Sequence, residues 1–367
     1  MVIYVKLITW GIKIMKITFI LPGFTRFPVG GYQIVYQYAG YLSSKGYDVE
    51  IIHAMFLPTQ EKPGIKKKII YSVKSFLFAL HLIRPWFQID SRIKVLNKGK
   101  ILTKDVRKAD RVIATAWETS EFVSLLPSEC GEKYYFIQHY ETWGGKERVD
   151  KTWKLPLKKI VIASWLKKIA SEMQEEAVLV PNFVEQNNFF VTKPIKDRTP
   201  TISMLYSEHE IKGSNLGIQV LKMLKNKYSN VHIKLFGVFE KPDNLPEGTM
   251  YYQNPSRKVL RDEIYNESSV YLFPSVSEGW GLTATEAMAC GAALCSTDNG
   301  GVDDFAVDGE SALISPVNNA ERLFKNLERL VIDGELRNKI AVNGQQNVLK
   351  LTFDSSAHLF EHAIDLA

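Results

Sequence analysis

The chain has 367 residues, 46% of them hydrophobic and 23% charged, which is an ordinary globular balance and enough length for two cores of about 180 residues. Its three cysteines, Cys130, Cys290 and Cys295, are too few and too scattered for a disulfide framework or a zinc site, so a reducing cytoplasm is the expected compartment. The net charge of +6 conceals an asymmetry: from Lys62 to Arg111 fourteen Lys and Arg face only Asp90, Asp105 and Asp110, so this tract carries +11 and the rest of the chain −5.

In chain order, residues 1–14 are apolar, but Lys6 and Lys13 interrupt them and no small-residue cleavage site follows, which argues against a signal peptide. Either Met1 or Met15 can serve as the start. Residues 17–21 read as a first strand. A loop over 22–29 leads to Gly30 and Gly31, which let backbone N–H groups approach a phosphate or acceptor, or simply turn the chain into the helix that ends at Gly46. A strand over 49–53 follows. The basic tract then holds an aromatic run, 76–87, preceded by Lys66, Lys67 and Lys68. It suits an interfacial helix on an anionic bilayer, or equally a core helix ringed by solvated lysines; it is too short to span a membrane. No nucleic-acid module accompanies the bases.

Short apolar strands are expected at 111–114, 135–138 and 159–163, with Ser164 as the N-cap of the next helix. A second alternating set runs through strand 201–205, helix 214–228, strand 231–236, helix 256–266, strand 269–273, helix 282–290, strand 292–296 and helix 319–333. A last amphipathic helix covers 354–366. Strands alternating with helices predict α/β architecture with doubly wound parallel sheets, whose ligands bind at the strands' C-terminal edge.

The richest stretch runs from Pro274 to Gly291 as Pro-Ser-Val-Ser-Glu-Gly-Trp-Gly-Leu-Thr-Ala-Thr-Glu-Ala-Met-Ala-Cys-Gly. A buried strand, a loop opened by Gly279 and Gly281, and a helix start aim backbone N–H groups and a positive dipole end at an anion. Glu278 and Glu286 flank that seat. Carboxylates are poor phosphate ligands but good hydroxyl acceptors, so the pair suits phosphate with a polyol on each side, which is a nucleotide sugar.

With Glu278 and Glu286 separated by seven residues among Pro274, Gly279, Gly281, Ala287-Met288-Ala289 and Gly291, this stretch resembles the signature of glycosyltransferase family 4, the group 1 glycosyl transferases. The resemblance implies a GT-B fold of two Rossmann-like domains facing a central cleft: residues 1–183 on the acceptor side, 184–352 holding the donor, and 353–367 returning to the first domain. It implies a retaining transfer from a nucleoside-diphosphate sugar to a glycan or lipid-linked acceptor in surface-polysaccharide or glycoconjugate assembly. The enzyme would be cytoplasmic and peripheral on the membrane's inner face.

By resemblance Glu278 contacts the sugar hydroxyls, the backbone of Gly279, Trp280, Gly281, Leu282 and Thr283 faces sugar and phosphate, and Glu286 accepts from the ribose. Lys212 matches the phosphate lysine, and His139 a histidine near the anomeric carbon. Glu118 and Glu141 are acidic candidates for acceptor binding. No Asp-x-Asp pair sits at a strand end, so no obligatory metal and no cofactor is expected. One position departs: where the family carries an Arg five residues before Lys212, this chain has Ser207, so a bidentate cation is missing at the diphosphate. A catalytically silent GT-B protein that binds a nucleotide sugar or a partner is the alternative; an epimerase-type GT-B enzyme lacks the paired-Glu helix.

Overall fold

The computed structural model describes residues 14–60, 70, 73 and 86–365. The choice between Met1 and Met15 and most of the aromatic run 76–87 lie outside these residues. Two sheets form. The first contains β1 (Lys16–Pro22), β2 (Asp48–Ala54), β3 (Lys94–Lys98), β4 (Arg111–Ala114), β5 (Glu132–Ile137), β6 (Lys158–Val161) and β7 (Ala177–Leu179), in the order β3-β2-β1-β4-β5-β6-β7. The second contains β8 (Thr201–Leu205), β9 (His232–Gly237), β10 (Met250–Gln253), β11 (Val270–Phe273), β12 (Ala293–Thr297) and β13 (Ala312–Ser315), in the order β10-β9-β8-β11-β12-β13. The described pairs are parallel, as doubly wound sheets require. The chain divides into two compact units, one of Met1–Arg26, Val35–Tyr135 and Leu155–Leu157, the other of Phe27–Ile34, Phe136–Lys154 and Lys158–Ala367.

Burial on both faces explains the strand sequences. All four residues of β11, Val-Tyr-Leu-Phe, are buried, because helices cover both sides of a parallel sheet. Behind it the helix Ala320–Ile332 presents Leu323, Leu327 and Leu330, all fully buried, at one-turn spacing. Each such leucine contributes about 1.5–3 kcal/mol. They close a core with Ile202, Met204, Val220, Ile233, Leu235 and Leu272. The terminal helix Phe353–Asp365 packs Phe360 edge-to-face on Phe136 at 5.2 Å, and Val184 bridges Thr352.

Three expectations need correction. The segment 256–266 is not one α-helix: a single turn, Arg257–Val259, passes into a π-helix, Leu260–Tyr265, closed by Asn266 N–H donating to Arg261 O. Ser164 is the first residue of its helix and not the N-cap, which is Ala163; the Ser164 N–H and hydroxyl donate instead to the Asp304 carboxylate. Strands β3, β7, β10 and β13 were not anticipated. All four are the edge strands of the two sheets, where fewer apolar residues are needed.

In the basic tract, the described bases are largely engaged by acids. Lys94 pairs with Glu50, Lys98 with Asp105, Arg107 with Asp48, and Lys108 with Glu129. Among the described residues no helix is long and apolar enough to cross a membrane.

In sheet two the strand order reverses between β8 and β11, so the loops after these two strands meet at a switch point. Gly213 makes the meeting possible. Its φ is +62°, and a Cβ there would lie 2.0 Å from the Pro274 carbonyl oxygen. Gly213→Ala should therefore lower the urea midpoint by more than Gly46→Ala, whose φ is also positive, at +94°, but which has open space around it. The open site is expected to cost about 1–2 kcal/mol. Equal losses at the two sites would show that the close approach carries no energy.

Candidate functional site

The loop after β8 ends in the turn Glu210–Lys212, and the loop after β11 carries Ser275–Gly281. The backbone joins them: Val276 N–H donates to Ile211 O at 2.8 Å. Across this junction the Lys212 ammonium donates to both Glu278 oxygens at 2.9 Å, and the Ser275 hydroxyl donates to Oε1 at 2.7 Å. Glu278 is buried, and its own N–H is held by Asn299 O at 3.0 Å. The two residues expected to serve sugar and phosphate thus form one ion pair.

The helix Leu282–Ala289 begins at once, with Gly281 as N-cap, so the N–H groups of Leu282 and Thr283 have no intrahelical acceptor. Its other end is closed by Gly291 N–H to Met288 O and Ala292 N–H to Ala287 O, the paired bonds of a Schellman cap. The Trp280 side chain turns inward onto Phe305, leaving only backbone for a ligand.

Glu286 sits about one turn into this helix, where the Tyr265 hydroxyl donates to Oε2 at 3.2 Å. Burial pushes the Glu286 carboxyl up to about 8, Glu185 adds to the rise, and Arg257 opposes it. Some of its surface still meets solvent. Glu185 is tied by Arg257 at 2.6 Å, by Gln33 at 2.8 Å and by Asn188 at 2.7 Å.

Gly279 marks the closest backbone approach: a Cβ there would lie 1.9 Å from the Gln138 carbonyl oxygen. This brings β5's exit into the site. His139 Nε2 lies 3.4 Å from the Ser277 hydroxyl, and the ring contacts Trp143 at 4.9 Å and Trp165 at 5.9 Å. Burial lowers the imidazole's pKa, while the Glu278 charge acts the other way. Trp165 donates to Gly279 O at 3.1 Å. Gly30 and Gly31 belong to the same unit. A Cβ on Gly30 would meet the Leu282 side chain at 2.9 Å, and Gln138 donates to Gly31 O at 3.1 Å.

Ser207 points into its own loop. Its N–H donates to the Ser214 hydroxyl at 2.9 Å, and its hydroxyl accepts from His209 N–H at 3.2 Å. Glu141 caps the turn Thr142–Gly144, two residues beyond His139, whereas Glu118 lies in the first turn of the helix Trp117–Ser124 in the other unit. Sequence reasoning missed Ser275, Gln138, Trp165, Tyr265 and the Glu185–Arg257 pair. Only Ser275, inside the motif, carried a local signal. Among the described residues no group of three or more His, Cys, Asp or Glu gathers as metal ligands would.

Residues 185–347 match the family model of glycosyl transferases group 1. The capsular polysaccharide biosynthesis glycosyltransferase CapM of Staphylococcus aureus is 28% identical over 144 residues, 37% of this chain and 38% of its own length. An uncharacterized glycosyltransferase of Haemophilus influenzae is 24% identical over 321 residues, 81% of this chain and 85% of its own. The chain therefore spans well under two thirds of the first relative. The crystal structure of Anabaena HepE in complex with UDP and glucose is similar with a TM-score of 0.73 and 12% identity, covering 96% of this chain and 100% of that one. The fold is GT-B.

The raised Glu286 pKa has a definite sign. The folded carboxyl holds its proton up to about 8, whereas an unfolded glutamate releases it near 4.3, so the folded state loses stability as pH rises between those values. Glu286→Gln should melt higher than the wild type at pH 8, with the gap closing toward pH 4. A gap independent of pH would refute the shift.

Proposed function

We propose that the chain is a retaining glycosyltransferase that moves a sugar from a nucleoside diphosphate to a glycan or lipid-linked acceptor in surface-polysaccharide or glycoconjugate assembly. The observation that carries this reading is the Lys212–Glu278 pair at the N-terminus of the Leu282–Ala289 helix, with Glu286 further along the same helix. The name of the Staphylococcus aureus relative supports the polysaccharide setting, and the UDP and glucose of the Anabaena complex support the donor class.

On this reading the diphosphate takes the helix N-terminus and the Lys212 ammonium. Its charge draws the lysine from Glu278, which is then free to accept from the sugar hydroxyls. Glu286, part of whose surface meets solvent, gives up its proton to water and accepts from the ribose hydroxyls. The bond between anomeric carbon and phosphate oxygen breaks as the acceptor oxygen bonds to the same face of that carbon. The acceptor's proton passes to the departing phosphate. Neutral His139 donates a hydrogen bond beside the anomeric centre. Phosphate charge is met by Lys212 and backbone N–H groups, and the scheme needs no metal. Attachment to an anionic membrane through the tract from Lys62 to Arg111 would bring the enzyme to a lipid-linked acceptor.

With Ser207 in place of Arg, Lys212 is the side-chain cation of the phosphate seat. Calorimetry with UDP, GDP, ADP and dTDP should find one tight ligand. Lys212→Ala should weaken it by about 1.5–3 kcal/mol, the worth of a charge-assisted hydrogen bond, and lower kcat together with kcat/KM. Unchanged affinity and turnover would refute the assignment. Release of free nucleoside diphosphate from donor plus acceptor distinguishes a transferase from a silent binding protein.

A further inference from the structure

Trp143 occupies a position that neither the donor seat nor the core explains. Of the tryptophans the structure describes, Trp117, Trp153 and Trp280 are buried, Trp86 and Trp165 are half-buried, and Trp143 alone is 59% exposed. Indole offers the largest flat apolar face of any side chain, with a polar N–H at its edge, which suits it to contact a ligand that is part apolar and part polar. Its place is not a loose loop tip. The turn Thr142–Gly144 is locked by Gly144 N–H to Glu141 O at 3.0 Å and Gly145 N–H to Thr142 O at 2.9 Å. Tyr140 anchors the start of that segment through Asp150 and an edge contact with Trp153.

The ring leans on His139 at 4.9 Å and 45°, and His139 in turn reaches Ser277 in the glycine loop. One imidazole therefore separates Trp143 from the residues that meet the donor sugar. Trp165, the other aromatic neighbour of His139, is committed to the Gly279 carbonyl. Trp143 has no such duty in the loop.

We propose that Trp143 is the stacking platform for the acceptor's pyranose ring, an inference that rests on the glycosyltransferase reading above. A pyranose has a face of C–H groups carrying partial positive charge, which suits the negative face of an indole, while its rim hydroxyls need acceptors. Glu141, two residues earlier in the chain at the start of the same turn, is an acidic neighbour in sequence. A sugar on Trp143 would be one imidazole away from Ser277 and the glycine loop. The platform sets which sugar face is presented and so contributes to acceptor choice.

The test uses the full chain with UDP present and methyl α-glycosides of glucose, galactose, mannose and N-acetylglucosamine as probes. Saturation-transfer NMR should show magnetisation reaching the C–H protons on one face of at least one glycoside. Trp143→Ala should reduce that transfer at least fivefold and Trp143→Phe should retain most of it. Both variants should keep UDP affinity within twofold by calorimetry, which also shows that they fold. Equal transfer in Trp143→Ala, or no glycoside saturated by the wild type, overturns the platform. So does loss of binding to phosphatidylglycerol vesicles in Trp143→Ala with glycoside transfer unchanged, which would make the ring a membrane contact. If the wild type binds no nucleoside diphosphate, the donor reading fails by itself, and the glycoside comparison is made on the nucleotide-free protein.

Discussion

The bidentate contact between the Lys212 ammonium and the Glu278 carboxylate is the interaction on which the site depends. It ties the loop after β8 to the loop after β11 at the point where the strand order of the second sheet reverses. A carboxylate as buried as Glu278 is costly to ionise unless donors surround it, and here Lys212 and Ser275 meet both of its oxygens. Lys212 remains partly exposed, with 28% of its side-chain surface in water. A ligand arriving from solvent can therefore compete for the cation without unpacking the core. The pair holds the two loops together, and on the proposed reading it offers separate contacts to a diphosphate that divides it.

Around this pair, main chain packs on main chain. The Gly279 backbone lies against the Gln138 carbonyl, and the Trp280 carbonyl lies so near Gly301 that a Cβ there would approach it to 2.2 Å. Trp165 then holds the Gly279 carbonyl from the side. Such contacts leave the loop little freedom, and fixed N–H dipoles stabilise developing charge better than dipoles that must first reorient. The glycines and the inward tryptophan of the motif thus share one task, which is to keep bare backbone at the surface where phosphate would sit.

This packing also explains what could be read from the sequence. Glu278, Gly281, Glu286 and the helix cap at Gly291 lie within one short stretch whose strand, turn and helix follow from local chemistry. The central strands were equally legible, because burial on both faces forces apolar runs such as Val-Tyr-Leu-Phe in β11. Partners brought together by topology were not. Tyr265 reaches Glu286 through a π-helical segment that no apolar pattern announces, and Arg257 meets Glu185 from 72 positions away. The edge strands β3 and β10 carry half-exposed polar and aromatic residues, so their sequences lack the signature of their neighbours. Ser207 was visible only as a departure. Its actual work, bonding Ser214 and His209 to shape the loop that presents Lys212, requires the folded loop.

Charge explains how such a site can work with a serine there. Lys212 and Glu278 form an ion pair, burial raises the Glu286 carboxyl to about 8 and lowers the pKa of His139, so these four side chains carry little net charge at neutral pH. A second cation beside Lys212 would have no counter-ion until a diphosphate arrived, and an unpaired charge in a half-buried loop is unfavourable. An arginine at position 207 would also surrender the hydroxyl that accepts from His209 N–H, loosening the turn that holds Lys212. The serine exchanges ligand-state charge for free-state order. On the proposed reading, affinity for a diphosphate then comes from how firmly Lys212 and the helix N-terminus are pre-positioned by the Glu278 pair and the glycine packing.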